Sequence, residues 1–268
     1  MTTKKTALIT GAGRGIGRRT AELLLADGWT VGVYDVSGDQ SWAADVRGAV
    51  PGHLDVTDPE SWEAALAEFT AAAGGLNLLV NNAGILFGGE FMDNSYKGDS
   101  MIVDVNVKGV LYGARAAFPH LKATRAAGGR AQMVSISSAA AIYGTPDLAV
   151  YSTTKFAVRG ATEALEVEWL EHGIEVKAVW PLFTNTGMLD GVDVGGMRRM
   201  GVKLTPEDVA QEIVRCIDHD NLASKAPTKV HFPVGLQAKA LYAGAHFSPN
   251  WVTRFFNAKL TTSRRVGI

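Results

Sequence analysis

Cysteine is almost absent from this sequence: Cys216 is the only one among 268 residues. A single cysteine cannot form an internal disulfide, and its rarity favours a reducing, cytoplasmic location. It lies in an apolar, helix-like run over residues 209–217, which predicts a core residue rather than a nucleophile. The six histidines are scattered, without the spacings or Cys/His clusters that zinc sites use, so we expect no metal.

Charge of one sign and long apolar runs are also lacking. The 26 Lys and Arg residues balance 27 Asp and Glu residues, which leaves no basic field for nucleic acid. No transmembrane span is evident, and the polar stretch from Met1 to Lys5 predicts no signal peptide. An apolar fraction of 47% with 20% charged residues is typical of a soluble globular protein with an ample core.

Predicted strands and helices alternate along the chain. The strands are residues 5–10, 30–34, 76–80, 131–136, 173–179 and 229–232, and the helices are residues 18–26, 58–73, 99–118, 150–171 and 206–217. This alternation predicts a single Rossmann-type doubly wound parallel β-sheet with helices on both faces. Its ligand should lie beyond the carboxyl ends of the strands. The length allows one large domain or two small ones, but no repeat or linker divides it, so we expect one domain over residues 1–268.

A glycine-rich loop separates the first predicted strand from the first helix. Gly11, Gly15 and Gly17 give the spacing Gly-x-x-x-Gly-x-Gly. Glycines let the backbone approach a pyrophosphate, and free N–H groups at a helix start face the anion. The absence of Gly-Lys-Ser/Thr disfavours a mononucleotide P-loop. The loop therefore predicts a dinucleotide site, with a flexible turn as the simpler alternative.

Asp35 ends the second predicted strand, about twenty residues beyond the loop. A carboxylate there accepts hydrogen bonds from an adenosine ribose and repels a 2′-phosphate, which favours NAD over NADP. Arg14 in the glycine-rich loop is the contrary indication, because its guanidinium could pair with that phosphate.

Tyr151 and Lys155 are four residues apart in a predicted helix, so their side chains lie on one face. An ammonium beside a phenol stabilises the phenolate and should lower the tyrosine pKa, which makes the phenol usable in proton transfer near neutral pH. Alone, the pair is most simply two neighbours on a solvated face. Ser138, at the end of a predicted strand shortly upstream, adds a hydroxyl to the group.

Several of these motifs together resemble a classical short-chain dehydrogenase/reductase, from about Lys5 to His231. They are Thr10-Gly11-Ala12-Gly13-Arg14-Gly15-Ile16-Gly17, Asp55-Val56, Asn81-Asn82-Ala83-Gly84, Asn106, Ser138 and Tyr151-x-x-x-Lys155. The stretch from Pro181 to Thr186 is similar to the family's Pro-Gly-x-Val-x-Thr, with Leu182 in place of glycine and Thr184 in place of valine. The leucine could narrow the pocket beside the nicotinamide.

The resemblance implies a catalytic set of Asn106, Ser138, Tyr151 and Lys155. Tyr151 is expected to be the acid/base, and Lys155 to lower its pKa and bind the nicotinamide ribose. Ser138 should bind the substrate oxygen, and Asn106 should hold, through backbone and amide, a water that leads from Lys155 toward solvent. The implied cofactor-binding residues are Gly11, Arg14, Gly15, Ile16, Gly17, Asp35, Asp55, Val56, Asn82, Ala83, Gly84, Tyr151, Lys155, Pro181, Thr184 and Thr186.

The expected substrate pocket is apolar and favours an uncharged, hydrophobic secondary alcohol or ketone. Its expected lining residues are Leu86, Phe87, Ala139, Ala140, Tyr143, Leu148, Phe183, Met188 and Leu189. A glycine-rich stretch over residues 187–203 is expected to be a mobile lid, with a surface loop as the alternative.

Residues 234–268 form a C-terminal extension that Pro249 divides into two amphipathic pieces. We expect it to pack on the body or on another subunit, and peripheral membrane contact is the less favoured alternative. Helices 99–118 and 150–171 resemble the family's dimerisation faces, so a homodimer or homotetramer is expected.

Two functions follow from this sequence. The first is an NAD(H)-dependent oxidoreductase that interconverts the alcohol and its ketone by hydride transfer. The second is a non-catalytic NAD(P)-binding module for redox sensing or scaffolding, since a fold does not fix a function. The complete set of Asn106, Ser138, Tyr151 and Lys155 favours the enzyme.

Overall fold

The computed structural model describes residues 5–37, 40–189, 191–192, 194–223 and 228–261. Its seven strands form one parallel sheet in the order β3-β2-β1-β4-β5-β6-β7. They are β1 (Thr6–Thr10), β2 (Thr30–Asp35), β3 (Ala49–His53), β4 (Leu78–Asn81), β5 (Ala131–Ile136), β6 (Ile174–Trp180) and β7 (His231–Pro233). The order reverses between β1 and β4, which is where a doubly wound sheet opens its ligand crevice.

Helices cover both faces of the sheet. They are α1 (Gly15–Ala26), α2 (Pro59–Ala73), α3 (Tyr96–Val103), α4 (Gly109–Ala126), α5 (Ala149–Leu170), α6 (Gly195–Met200), α7 (Pro206–Asp218), α8 (Gly235–Phe247) and α9 (Asn250–Thr261). Successive strand residues point to opposite faces. Ile9 therefore packs in the core beneath α1 and α7, while Leu8 packs beneath α2 and α4. The predicted doubly wound sheet with helices on both faces is confirmed.

Local sequence signals set several helix starts. Asp58 caps α2 by accepting from the N–H of Glu60, and Pro59 occupies the first helical position. Thr205 and Asp208 form a reciprocal capping box at α7. Cys216 on α7 is fully buried, and burial raises the pKa of its thiol to about 12. This agrees with a core residue.

The predicted continuous helix over residues 99–118 is wrong in its middle. The chain forms α3, then a π-helical turn over Asp104–Lys108, then α4, which runs on to Ala126. Asn106 lies in the turn, and its side chain is bonded to a neighbouring loop instead of facing solvent. Single π-turns of this kind are frequent at functional sites.

The segment expected to be a lid is partly helical. It contains a turn over Gly187–Leu189 and α6, and both Val194 and Met200 are buried. Asp190 and Asp193 lie outside the described residues. The two ends of the segment are joined, since Thr184 forms a parallel bridge with Leu204 and the N–H of Asn185 donates to the carbonyl of Leu204 at 2.8 Å.

The C-terminal extension forms α8 and α9, with Pro249 between them as predicted. The Asn257 amide on α9 donates to the carbonyl of Gly144 at 2.7 Å, and Arg199 on α6 donates to the carbonyl of Lys259 at 2.8 Å. The extension thus packs on the body of the same chain and against the lid segment. Arg264 and Arg265 lie outside the described residues. Within the part of the chain that is described, no helix is long and apolar enough to cross a bilayer.

Gly113 and Gly160 should respond oppositely to alanine. A Cβ at Gly113 on α4 would lie 2.6 Å from the Trp62 ring and 2.7 Å from the Asn81 amide oxygen, whereas at Gly160 on α5 no atom lies within 4 Å. We expect Gly113→Ala to lower the free energy of unfolding by about 1–3 kcal/mol through overpacking. The matched Gly160→Ala should raise it by up to about 1 kcal/mol through helix propensity. Denaturant unfolding measures both, and equal effects of the two variants would contradict the packing of α4 on α2.

Candidate active site

The glycine-rich loop after β1 is held against the loop after β4. The Asn82 amide donates to the carbonyls of Thr10 at 2.8 Å and Gly11 at 3.0 Å. The Thr10 hydroxyl accepts from the backbone N–H groups of Asn82 at 3.1 Å and Ala83 at 3.0 Å. One hydrogen-bonded network at this edge of the sheet thereby joins Thr10, Gly11, Asn82 and Ala83.

The loop has room for an anion and none for larger side chains. Gly11 and Gly15 have positive φ angles of 64° and 59°. A Cβ at Gly17 would lie 2.5 Å from the Asn82 amide nitrogen and still closer to the Gly11 carbonyl, while one at Gly15 would meet only Thr186, at 3.8 Å. No side chain caps α1, so its first N–H groups face the space above the loop. This arrangement fits the pyrophosphate of a dinucleotide.

The Asp35 carboxylate is tied to the same loop. Its Oδ2 accepts from the N–H of Gly13 at 2.9 Å, and its Oδ1 accepts from the N–H and hydroxyl of Ser37 at 3.1 and 3.0 Å. Arg14 is exposed at the start of α1. Asp35 and Arg14, the two residues that could select between NAD and NADP, therefore lie beside the glycine-rich loop, where we expect the adenosine ribose.

Asp55 and Val56 follow β3, beside Asp35 in the sheet order. Asp55 Oδ1 accepts from the N–H and the hydroxyl of Thr57, and Val56 is buried. A Cβ at Gly109 would lie 2.9 Å from the Val56 side chain. Their expected contact with the cofactor stays a prediction.

Tyr151 and Lys155 occupy the first two turns of α5. The Lys155 ammonium lies 5.5 Å from the centre of the Tyr151 ring and donates to the carbonyl of Ile136, the last residue of β5, at 2.8 Å. Ser138 follows β5, and its hydroxyl oxygen accepts from the N–H of Ala140 at 3.1 Å. The structure thus brings the hydroxyl, the phenol and the ammonium together.

The fourth expected catalytic residue, Asn106, is bonded through its amide to the protein. The amide oxygen accepts from the N–H of Ile85 at 2.8 Å, and the amide nitrogen donates to the carbonyl of Ile85 at 2.9 Å and to the Thr154 hydroxyl at 3.3 Å. Asn106 thus ties the loop after Gly84 to α5 beside Lys155. The water expected at its backbone and amide stays a prediction.

The Tyr151 pKa is raised in this structure, whereas the sequence predicted that Lys155 would lower it. Burial raises the pKa of Tyr151 to about 12, and a side-chain hydrogen bond with Ser138 only partly offsets it. Burial lowers the pKa of Lys155 to about 8. Desolvation disfavours the charged form of both groups.

A cleft of about 820 Å³ opens over these groups. Its lining includes almost the whole expected pocket: Leu86, Ala139, Ala140, Tyr143, Leu148, Phe183, Met188 and Leu189. Ser138, Tyr151 and Lys155 face it together with Ile16, Asn82, Gly84, Pro181, Thr184 and Thr186 from the expected cofactor set. Among the described lining residues, Lys155 alone carries a charge.

Phe87 does not line the cleft, which corrects our expectation. Its side chain is 42% exposed and lies against Gly98 instead. Its neighbour Leu86 is buried and lines the cleft.

Sequence reasoning missed several lining or supporting residues. Ser137, Thr145 and Met200 line the cleft, while Ile85 and Thr154 hold the Asn106 amide. Leu182, which the sequence indicated could narrow the pocket, does line the cleft. Met200 carried no signal in the sequence, because its position depends on how the lid segment folds.

No set of three or more His, Cys, Asp or Glu side chains that could hold a metal ion occurs within the described ranges. The polar side chains that line the cleft are hydroxyls, the Asn82 amide and the Lys155 ammonium.

Known proteins share both this sequence and this fold. The model of the short chain dehydrogenase family matches residues 5–194. The chain is 37% identical over 200 residues to L-2,3-butanediol dehydrogenase of Corynebacterium glutamicum, covering 70% of this chain and 75% of the relative. It is 38% identical over 193 residues to 3-alpha-(or 20-beta)-hydroxysteroid dehydrogenase of Mycobacterium tuberculosis strain H37Rv, covering 70% and 72%.

Among solved structures, 3-ketoacyl-(acyl-carrier-protein) reductase from Brucella melitensis complexed with NADH superimposes with a TM-score of 0.78. It is 30% identical, and the match covers 86% of this chain and 96% of that structure. The matched residues include the glycine-rich loop, the region from β4 to α5, and the Tyr151-Lys155 pair on α5. The chain therefore belongs to the short-chain dehydrogenase family of oxidoreductases.

Proposed function

We propose that the protein is an NAD(H)-dependent oxidoreductase that interconverts an uncharged, hydrophobic secondary alcohol and its ketone, with Tyr151 as the acid/base. The carrying observation is that Ser138, Tyr151 and Lys155 meet in one apolar cleft, which also reaches Ile16 at the start of α1. A hydroxyl donor, a proton-transfer group and an anion-binding helix start are the parts that alcohol oxidation needs.

The cofactor supplies the hydride acceptor or donor when it is bound. Gly11, Gly15, Gly17 and the first N–H groups of α1 would hold its pyrophosphate, and Asp35 its adenosine ribose. Pro181, Thr184 and Thr186 line the cleft together with Tyr151 and would meet the nicotinamide end of the cofactor. Lys155 would bind the nicotinamide ribose through the ammonium that now donates to Ile136.

Proton transfer is the task of Tyr151. With its pKa raised to about 12, the phenol is neutral at ordinary pH and is ready to donate a proton to a ketone oxygen. In the oxidative direction the phenol must first lose its proton, so alcohol oxidation should rise with pH. Ser138 would donate to the same substrate oxygen and hold it in place.

The cleft wall supports an uncharged substrate. Lys155 alone is ionic among the described lining residues, and it lies at the base of the tyrosine rather than in the outer pocket. Two relatives are named for an uncharged diol and for hydroxysteroids, which agrees with an apolar wall. The alternative of a non-catalytic NAD(P)-binding module gives no physical reason for the assembled hydroxyl, phenol and ammonium.

A homodimer or homotetramer is part of this proposal. Leu111 on α4 and Phe156, Val167 and Leu170 on α5 are exposed large apolar side chains, as on a face that pairs with a second copy. Light scattering of the purified protein measures the oligomeric state. We place the enzyme in a reducing, cytoplasmic compartment, in keeping with one buried thiol.

Tyr151→Phe should lower kcat at least about a hundredfold, because the phenylalanine ring has no transferable proton. General acid–base catalysis typically contributes about 10²–10⁴-fold to the rate. The cofactor should still bind, as fluorescence titration with NADH would show. The control is Tyr34→Phe, which removes a buried hydroxyl that has no hydrogen-bond partner in the structure and lies in the core under α2. Retention of more than a few per cent of activity by Tyr151→Phe, with Tyr34→Phe fully active, would exclude Tyr151 as the acid/base.

The depressed Lys155 pKa predicts a specific pH dependence of stability. The amine has a pKa of about 8 when folded against 10.5 when unfolded, so below pH 8 its protonation costs the folded state, and this cost disappears as the pH rises toward 10.5. Relative to Lys155→Met, the wild type should therefore gain up to about 3 kcal/mol of unfolding free energy across that window. Denaturant unfolding of both proteins at several pH values measures the change. A difference that stays constant with pH would show that the amine is not desolvated.

Asp35 should make the wild type prefer NAD over NADP in kcat/KM. Asp35→Asn removes the charge but keeps an oxygen for the Gly13 N–H, so it should shift the preference toward NADP by roughly ten- to a hundredfold. Asp35→Ala loses the loop contact as well and should weaken both cofactors. Adding Arg14→Ala to Asp35→Asn should reverse part of the shift, because Arg14 is then the partner of the 2′-phosphate. A wild type that already favours NADP would show that Arg14 dominates.

A further inference from the structure

The wall of the cleft carries more hydroxyl groups than the proposed reaction uses. Ser138 and Tyr151 are assigned to the reacting oxygen of the substrate. Tyr143 and Thr145 also line the cleft, and both are more than nine-tenths buried, with 8% and 5% of their surface exposed. Neither of these two residues has a part in the proposed proton transfer or in holding the cofactor.

The Tyr143 and Thr145 hydroxyls have no hydrogen-bond partner among the residues that the structure describes. The Ser137 hydroxyl, which belongs to the same lining, instead donates to the Lys155 carbonyl at 3.2 Å. Buried hydroxyls are nearly always hydrogen-bonded, because a buried polar group without a partner is costly. Two unbonded hydroxyls in the wall of one cleft therefore point to an oxygen of a ligand.

The loop that carries these hydroxyls is held by two helices. Gly144, which lies between them in the chain, accepts at its carbonyl from the Asn257 amide of α9 at 2.7 Å. The N–H of Thr145 donates to the Ser152 hydroxyl of α5 at 3.0 Å, and its carbonyl accepts from the N–H of Leu148 at 3.1 Å. A polar group on a fixed loop binds a ligand without the cost of ordering the loop. The loop is thus preorganised for binding.

The ligand oxygen must belong to an uncharged group. Lys155 alone carries a charge among the described lining residues, and its ammonium donates to the Ile136 carbonyl. A carboxylate or phosphate beside Tyr143 would lose its hydration without a cation to replace it. Burial raises the pKa of Tyr143 to about 12, so the phenol keeps its proton at ordinary pH and donates as well as accepts. A neutral hydroxyl or carbonyl oxygen fits these groups.

The unbonded hydroxyls lie close in the chain to the group that holds the reacting oxygen. Ser138 is followed by a single short helical turn, Ala139–Ala141, and Tyr143 comes two residues after that turn. The N–H of Ala141 donates to the Ser138 carbonyl at 2.9 Å, which keeps this part of the chain compact. One substrate molecule in the cleft can therefore meet Ser138 with one oxygen and Tyr143 with another.

We propose that Tyr143, together with Thr145, binds a second oxygen of the substrate, so that the preferred substrate is an uncharged alcohol or ketone with a further hydroxyl or carbonyl group. Tyr143 donates to this oxygen and takes no part in the proton transfer of Tyr151. An alcohol without the second oxygen leaves the phenol unpaired in a buried site and is turned over less efficiently. This inference rests on the proposed oxidoreductase function and adds a substrate class to it.

The test compares alcohols that differ by one hydroxyl, at saturating NAD. The compounds are cyclohexanol with the three positional cyclohexanediols, and 2-pentanol with 2,3- and 2,4-pentanediol. The readout is the kcat/KM of the best diol divided by that of its parent alcohol, and in the wild type this ratio should be about ten or more. Tyr143→Phe should lower the ratio roughly tenfold, and Thr145→Val should lower it less, because each variant loses a hydrogen bond to the diol alone.

Two variants serve as matched controls. Thr145→Ser keeps the hydroxyl and should keep the wild-type ratio, and Tyr34→Phe removes a tyrosine hydroxyl from the core under α2 and should also keep it. Thermal unfolding checks that the variants are folded, and Thr145→Val against Thr145→Ser decides the question if Tyr143→Phe is not.

The outcomes separate this inference from the proposed function. A wild type that prefers the parent alcohols, or a ratio that Tyr143→Phe and Thr145→Val leave unchanged, would overturn the second binding position while the turnover itself supports the oxidoreductase. A wild type that oxidises none of these compounds would overturn both.

Discussion

The close approach of the glycine-rich loop to the end of β4 determines how this edge of the sheet is built. The Asn82 amide reaches two loop carbonyls, and the Thr10 hydroxyl holds the chain after β4 from below. A Cβ at Gly17 would occupy the place of that amide. With the loop fixed in this way, Gly13 can bond Asp35 from the neighbouring strand, and the start of α1 opens toward the cleft. Three strands that are distant in sequence thereby share one site.

A second set of contacts holds Tyr151 and Lys155 on the other side of the point where the strand order reverses. The π-helical turn places the Asn106 side chain against the backbone of Ile85. The Asn106 amide also donates to the hydroxyl of Thr154, the residue before Lys155. The Lys155 ammonium is in turn held by the end of β5. The phenol of Tyr151 is thus positioned by α5, whose own position is set by contacts from α4 and β5. The position of the phenol and the packing of α5 depend on the same few hydrogen bonds.

Much of this site can be predicted from the sequence, because the carboxyl ends of parallel strands lie at the same edge of the sheet. Residues that end strands or follow them, such as Gly11, Asp35, Asn82 and Ser138, could be placed at one edge before any coordinates were known. The limits of β5 were also predicted correctly, because an apolar run between turn formers is typical of a buried strand.

Other properties depend on what surrounds a residue, and sequence spacing does not contain that information. The spacing of Tyr151 and Lys155 predicted mutual stabilisation, but the depth of the cleft decides that desolvation dominates both pKa values. The π-helical turn places Asn106 against Ile85, 21 residues away, whereas the local sequence pattern is that of an ordinary helix. Met200 reaches the cleft only through the fold of its segment, and Phe87 is exposed although its neighbour Leu86 is buried.

The bridge between Thr184 and Leu204 constrains the segment between them. Because the N–H of Asn185 also donates to the Leu204 carbonyl, this segment begins and ends at one point and forms a loop with a fixed stem. Met200 in this loop lines the cleft, and its neighbour Arg199 donates to the carbonyl of Lys259 on α9. The wall of the cleft is therefore joined to the carboxyl-terminal part of the chain, 60 residues beyond Arg199 in sequence.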